Sequence, residues 1–285
     1  MAIQSLSILV PCGGKCWNNC HFCVSMQHNE YYSKDIITVN NIPQSYLDRM
    51  QWTRDAGCDS LIFTGITEPQ QNLPFIYKLL TLNRTLRTPF YNISIQTTGT
   101  ALTPREIERL AQAGINTIAL SISSFDDQKN WDIIQAPEKV RTMSIVNIIE
   151  CTKDNGMNVR ACLNLTNEFN VFYPGIYFDW AEQYNVDQLT FRKIYSSGNN
   201  EKSTWIKEHL FDSNRFEDIR QFIIERGTPI RILPFGATFY DVNGVSTVID
   251  EDCMAEHNIK EIRYAVLRAN NHLYSSWNKK GSLIF

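Results

Sequence analysis

The stretch from Pro11 to Cys23 reads PCGGKCWNNCHFC and carries four of the chain's eight cysteines. Cys16, Cys20 and Cys23 follow a Cys-x3-Cys-x2-Cys spacing directly after the apolar run LSILV (6–10), so they share one short loop at the end of a strand. Thiolates gathered in this way suit a metal centre. A zinc ion would take a fourth ligand, for which Cys12 and His21 are both close in sequence. An iron–sulfur cluster held by only three cysteines would instead leave one iron open to an outside ligand. Gly13, Gly14, Asn18 and Asn19 supply the permissive backbone that a loop wrapped around such a group needs.

The elements that must position this loop follow from periodicity. Apolar, β-branched runs occur at 6–10, 60–65, 92–98, 117–123, 159–166 and 188–194, and helical segments separate them. The clearest helix is TPREIERLAQAG, with Thr103 as N-cap, Pro104 in the first turn, Glu106 completing a capping box and Gly114 as the stop. Further helices are expected around Ser45 to Arg54, Leu73 to Leu82, Val140 to Lys153, Tyr177 to Gln183 and Trp205 to Arg226. Strands alternating with helices predict an α/β fold with a parallel sheet and right-handed crossovers, either an open doubly wound sheet or a full or partial barrel. In either form chemistry gathers at the C-terminal ends of the strands. After Arg226 the texture changes to short strands with turns at Val242 to Gly244 and at Asn270-Asn271, a small β-rich C-terminal appendage. The expected division is a barrel core over 1–200 and a helix plus β-rich segment over 201–285.

Composition narrows the function classes. A chain of 285 residues, 43% hydrophobic and 20% charged, can bury a large core. Its formal charge is −3 and its 27 basic residues form no block, which disfavours nucleic acid as a partner. The N-terminus has no basic, apolar leader and no run is long enough to span a bilayer, so a cytoplasmic protein with no membrane partner is expected. In a reducing compartment the clustered cysteines read as ligands or catalysts, and Cys58, Cys151, Cys162 and Cys253 as small buried hydrophobes.

At the cysteine loop the chain resembles the radical S-adenosylmethionine (AdoMet) superfamily, over roughly residues 5–195. The resemblance rests on the cysteine spacing, on the aromatic residue before the last cysteine, Phe22, and on the strand and helix alternation. It implies a partial (β/α)6 TIM-like barrel in which Cys16, Cys20 and Cys23 bind a [4Fe-4S] cluster and AdoMet chelates the remaining iron. Phe22 would then lie beside the adenine. The segment TGITEPQQN, with Gly65, Thr67, Glu68 and Pro69, stands where the family contacts the AdoMet amino group, with one extra residue between the glycine and Glu68. Gln96 and Thr98 would face inward at the end of the third strand. Ser121 and Ser123 on the fourth strand, and Arg160, Cys162 and Asn164 on the fifth, alternate to one face. The resemblance assigns Ser123 and Asn164 to the ribose hydroxyls, Arg160 to a carboxylate, and Arg192 to AdoMet or an anionic group of the substrate.

The implied chemistry is reductive cleavage of AdoMet to a 5′-deoxyadenosyl radical that takes hydrogen from a small-molecule, nucleotide or peptide substrate. The electron would come from a donor such as flavodoxin or ferredoxin. Residues 24–42 and the C-terminal segment, with Arg268, His272, Tyr274, Trp277, Lys279 and Lys280, are expected to close over the barrel. Cys253 lies between acidic neighbours that should keep its thiol neutral, and a neutral thiol can return a hydrogen atom to a substrate radical. The competing expectation is a non-catalytic binding protein stabilised by zinc on Cys12, Cys16, Cys20 and Cys23.

Overall fold

The structure is a computed structural model that describes residues 3–23, 25, 37–169, 173–194, 196, 200–232, 238–250, 262–277 and 280–285. Six parallel strands run side by side in chain order: β1 (Ser5–Leu9), β2 (Ser60–Thr64), β3 (Asn92–Thr97), β4 (Thr117–Ile122), β5 (Asn158–Leu165) and β6 (Gln188–Lys193). Between them lie helices α1 (Gln44–Asp55), α2 (Leu73–Asn83), α3 (Pro104–Ala113), α4 (Asp127–Ile134), α5 (Ile145–Asp154) and α6 (Gly175–Gln183). This is the α/β, partial-barrel architecture expected from the alternation.

The register sorts the strand residues into two faces, because successive side chains point to opposite sides of a sheet. On one face Ile8 pairs with Phe63, Phe63 with Ile95, Ile95 with Ile118, Leu120 with Ala161, and Leu163 with Phe191. These residues join one buried apolar cluster with Tyr46 and Met50 of α1, Phe75 and Leu79 of α2, Ile107 and Leu110 of α3, Ile148 of α5 and Phe178 of α6. On the other face Ser7 pairs with Ile62, Ile62 with Ser94, Gln96 with Ala119, Ser121 with Cys162, and Asn164 with Arg192. The strands are therefore apolar toward the helices and largely polar toward the barrel interior.

Helix boundaries follow the capping chemistry. Thr103 Oγ1 accepts from Glu106 N at 3.3 Å while Glu106 Oε2 accepts from Thr103 N at 2.9 Å, and Gly114 closes α3 at φ 109°, a left-handed conformation that glycine adopts without strain. The helix expected over Val140 to Lys153 is shorter. A 3-10 turn spans Glu138–Val140, and α5 starts only after Ser144, whose hydroxyl accepts from Asn147 N at 3.0 Å. The stretch from Trp205 to Arg226 likewise divides into α7 (Glu201–Glu208) and α8 (Ser213–Arg226), because Asp212 caps the second helix by accepting from Asn214 and Arg215 N. Helix α4 was not expected from periodicity, although its N-cap, Asp126 accepting from Lys129 N at 2.8 Å, is a legible signal.

The β-rich C-terminal part attaches at both edges of the sheet. Strand β9 (Val245–Asp250) pairs parallel with β6 and carries β8 (Thr238–Val242) and β7 (Thr228–Ile232) antiparallel beyond it. On the far side β10 (Tyr264–Leu267) pairs parallel with β1 and carries β11 (Leu273–Tyr274), giving one sheet in the order β11-β10-β1-β2-β3-β4-β5-β6-β9-β8-β7. Among the described residues no helix is long and apolar enough to cross a membrane.

Candidate active site

The cysteine loop leaves the C-terminal end of β1 and is fastened from three sides. From the segment after β2, Asn72 Nδ2 donates to Pro11 O at 2.6 Å, Gln71 Nε2 to Lys15 O at 3.1 Å, and Gln71 Oε1 accepts from Trp17 N at 3.1 Å. From α4, the Ile134 and Ile133 carbonyls accept from Asn19 N at 3.3 Å and His21 N at 3.1 Å. From α7, Lys202 Nζ donates to Asn19 O at 2.9 Å and to Asn19 Oδ1 at 3.0 Å. A loop held this way presents its side chains at low entropic cost to whatever binds there.

Cys16, Cys20 and Cys23 are each partly exposed, and Cys23 N donates to Cys20 O at 3.1 Å. The three sulfurs lie within electrostatic range of one another. Burial raises the Cys20 thiol well above its ordinary range, and the neighbouring Cys23, Glu68 and Cys16 raise it further. Cys16 is raised for the same reasons, burial first. A cationic metal centre would reverse this by stabilising the thiolates. Among the described residues no group of three or more His, Cys, Asp or Glu side chains converges on one ion position. Three thiols on one short clamped loop are a donor set whose chemistry suits a metal centre.

Beneath the loop, Glu68 organises a buried polar network. Its Oε1 accepts from Thr98 Oγ1 at 2.9 Å and Asn18 Nδ2 at 3.3 Å, and its Oε2 from Thr97 Oγ1 at 2.8 Å, Gln70 Nε2 at 3.0 Å and Thr98 N at 3.2 Å. Burial pushes its carboxyl above the usual range, and these donors partly offset the push. Asn18 Nδ2 also reaches Thr98 Oγ1 and Thr100 Oγ1 at 3.0 and 2.9 Å, which ties the cysteine loop to the end of β3. Gln70, Thr97 and Thr100 were not singled out from sequence, and Asn18 was named for its backbone alone. Their signal is weak, since short polar residues after a strand usually mean a turn.

A cavity of about 140 Å³ opens beside this network, with Gly65, Thr67, Glu68, Gln96, Thr98 and Ser121 in its wall. All six are residues that the sequence comparison assigned to cofactor contact. Thr67 is only 9% exposed, and among the described residues its Oγ1 has no hydrogen-bond partner.

The other expected residues are placed less uniformly. Asn164 is buried at the C-terminal end of β5 beside Arg192, and its Nδ2 donates to Ser123 Oγ at 3.4 Å. Ser123 is fully buried, with its N–H donating to Asn130 Oδ1 at 2.8 Å, so it supports Asn164 from behind. Phe22 is half-buried, its ring 6.3 Å from that of Trp205. Arg160 is not brought to the site. It lies near the opposite end of β5, four residues and roughly 13 Å of strand from Asn164, where its Nε donates to Gln188 Oε1. Burial lowers its pKa, and nearby Arg192 lowers it further against the opposing effect of Cys162. Arg268, expected near substrate, is buried over the Tyr274 ring and donates to Trp277 O, which makes it part of the packing of the C-terminal hairpin. Cys253, Lys279 and most of 24–42 lie outside the described residues.

The fold and this site define an α/β barrel enzyme with a cysteine loop at the C-terminal end of its first strand. Residues 10–169 match the family model of the Radical SAM superfamily, more than half of the chain, and the chain belongs to that family of enzymes. Among curated proteins none matches the chain. Similar solved structures include SuiB of Streptococcus suis bound to the precursor peptide SuiA, at TM-score 0.62 and 13% identity over 96% of this chain and 60% of that one. SuiB bound to S-adenosylmethionine gives the same values. Another is anSMEcpe with bound AdoMet, at TM-score 0.60 and 15% identity over 99% of this chain and 77% of that one. At these identities the likeness is one of fold, and the chain spans about 60% of the SuiB length.

Proposed function

We propose that Cys16, Cys20 and Cys23 hold a [4Fe-4S] cluster and that AdoMet binds its remaining iron, with the amino-acid end of AdoMet directed into the cavity beside Glu68. The observation that carries this reading is the position of three mutually interacting thiols, on one clamped loop, next to a cavity whose wall includes an unpartnered buried hydroxyl. Held by Cys16, Cys20 and Cys23, such a cluster would supply the single electron for reductive cleavage of AdoMet to methionine and a 5′-deoxyadenosyl radical, the species that would take hydrogen from substrate carbon.

The chain's own residues supply binding and orientation. Thr67 Oγ1 offers a hydrogen bond to the AdoMet amino or carboxylate group. Glu68, already accepting five hydrogen bonds, contributes negative potential at the cavity wall and fixes Thr98 and Asn18. Asn164 and Ser121 face the interior and serve the ribose, and Phe22 the adenine. Arg192, paired in register with Asn164, stands where an anionic group of AdoMet or substrate would pass. The cavity is smaller than the roughly 300 to 1,000 Å³ of a full ligand pocket, which suits the methionyl arm with the nucleoside lying above it.

Of the substrate classes expected from sequence, the peptide class has support from SuiB, crystallised with its precursor peptide, and from anSMEcpe, crystallised with a Cp18Cys peptide. An external one-electron donor of the flavodoxin or ferredoxin kind completes the reaction. Anaerobically reconstituted protein should be brown, bind about four iron and four sulfide per chain, and convert AdoMet to 5′-deoxyadenosine on reduction. Replacing Cys16, Cys20 or Cys23 by Ala should abolish both iron binding and cleavage, whereas Cys12→Ala should retain both. A colourless protein with about one zinc, or a Cys12→Ala variant that folds without iron, would sink the three-cysteine assignment.

A further inference from the structure

Lys202 lies 183 residues beyond Asn19 in sequence, on the first turn of α7, yet it reaches directly into the cysteine loop. Its side chain is buried, with the residue 7% exposed, and its Nζ donates to Asn19 O and Oδ1 at 2.9 and 3.0 Å. Among the described residues no carboxylate lies within 4 Å of it. A buried ammonium without an acidic partner is costly, and this one is placed with care. One turn along the same helix, the Trp205 ring stacks with His21 at 4.9 Å and 7° and with His209 at 4.1 Å and 10°. These stacks fix α7 against the loop. The Asn19 carbonyl that Lys202 holds belongs to the peptide group that joins Asn19 to Cys20, so the ammonium is hydrogen-bonded to the backbone that carries a cysteine of the proposed cluster.

We propose that Lys202 is a positioning residue that also sets the redox balance of the cluster: its charge favours the one-electron-reduced state and raises the midpoint potential toward that of the external donor. The proposal rests on the cluster reading above. A three-thiolate cluster becomes more negative by one charge when it accepts an electron, and a fixed cation in a poorly solvated site stabilises the more negative state. The electron comes from an external one-electron reductant, and no atom of Lys202 is oxidised or reduced. The lysine also pins the peptide through which the loop turns from Asn19 to Cys20.

The test compares reconstituted full-length wild type, Lys202→Gln and Lys202→Arg, by redox titration followed by electron paramagnetic resonance without AdoMet, with iron and sulfide counted in each. Glutamine keeps an N–H donor for Asn19 and drops the charge; arginine keeps both. The glutamine variant should retain its iron while its ratio of reduced to oxidised cluster at a fixed potential falls about tenfold, equivalent to about 59 mV for a one-electron couple. The arginine variant should stay near wild type. Equal midpoint potentials in the glutamine variant and wild type would overturn the proposal. Loss of iron from the glutamine variant, with or without rescue by arginine, would also overturn it, because Lys202 would then serve assembly alone. A wild-type protein that shows neither four-iron content nor a reduced-cluster signal would overturn the cluster reading itself, a separate and recognisable result.

Discussion

Strand β5 shows two environments within eight residues: Ala161, Leu163 and Leu165 enter the helix shell, while Arg160, Cys162 and Asn164 face the barrel interior. The same contrast runs across the sheet. On the helix side each side chain contributes through the area it removes from water, and neighbours of similar volume can share that role. On the interior side the contribution depends on a particular atom meeting its partner, as Glu68 meets Thr97, Thr98, Gln70 and Asn18. The interior is not uniformly polar. Leu9, Val266 and Tyr274 form a separate apolar cluster where β1 meets β10, with Ile66 packed against it. Stability therefore resides mostly on one face, and chemistry on part of the other.

That contrast can be broken most strongly on the helix side. Phe63 is completely buried between β2 and its neighbours, and Phe63→Ala should cost roughly 3 to 5 kcal/mol of stability, read as a large fall in the denaturant midpoint. If the protein still folds at low temperature, its loop should still take up iron. A wild-type denaturation curve would show that the helix-side core is not the principal support.

On the interior side, Glu68→Gln keeps shape but places an amide N–H₂ among donors. Thr98 N cannot reverse its polarity, so the glutamine oxygen must take the Oε2 position and the new amide must face Asn18 Nδ2 and Thr98 Oγ1 at the Oε1 position, where a donor left unpaired should cost about 1 to 3 kcal/mol. The loss should appear as weakened retention of iron by the loop together with a moderate drop in thermal midpoint. Full iron retention at wild-type stability would mean that the network does not hold the loop.

A smaller effect is expected at Asn164. Asn164→Ala should weaken AdoMet binding by roughly 0.5 to 1.5 kcal/mol and leave iron content intact, measured by equilibrium binding to the reconstituted protein. Unchanged affinity would remove Asn164 from the ribose site and sharpen the division between the cavity and the rest of the interior.

The smallest signal comes from Cys58, packed in the helix-side core, whose thiol burial pushes up to about 11. At pH 8 only about one molecule in a thousand would carry its thiolate, so an alkylating reagent should leave Cys58 unmodified in the folded protein. Raising the pH toward 11 should expose it only as the thiolate fraction grows. Rapid labelling at pH 8 would show that this core opens locally.

The barrel was legible in sequence because period-two alternation between apolar and polar residues survives in most central strands, the Leu61-Ile62-Phe63 run of β2 excepted, and because Thr103, Glu106 and Gly114 punctuate α3 without help from elsewhere. Helix α4 was missed despite its aspartate cap, since an eight-residue helix with its buried Asn130 has a short and mixed pattern. The six expected residues that share the cavity wall each sit at or just past the C-terminal end of a strand. Arg160 was misplaced relative to the others for a related reason: alternation tells which face a residue takes, and says nothing of its height along the barrel.

By itself the sequence determined the class of fold, the cysteine loop after the first strand and the face on which each strand residue lies, because these depend on local spacing and on backbone periodicity. Only the tertiary structure decided that Glu68 is the centre of a five-donor network, that β9 and β10 extend opposite edges of the sheet, and that Lys202 lies under Asn19. Such pairings join residues tens to more than two hundred positions apart, and closure of the whole chain, which no local pattern encodes, sets which of them meet.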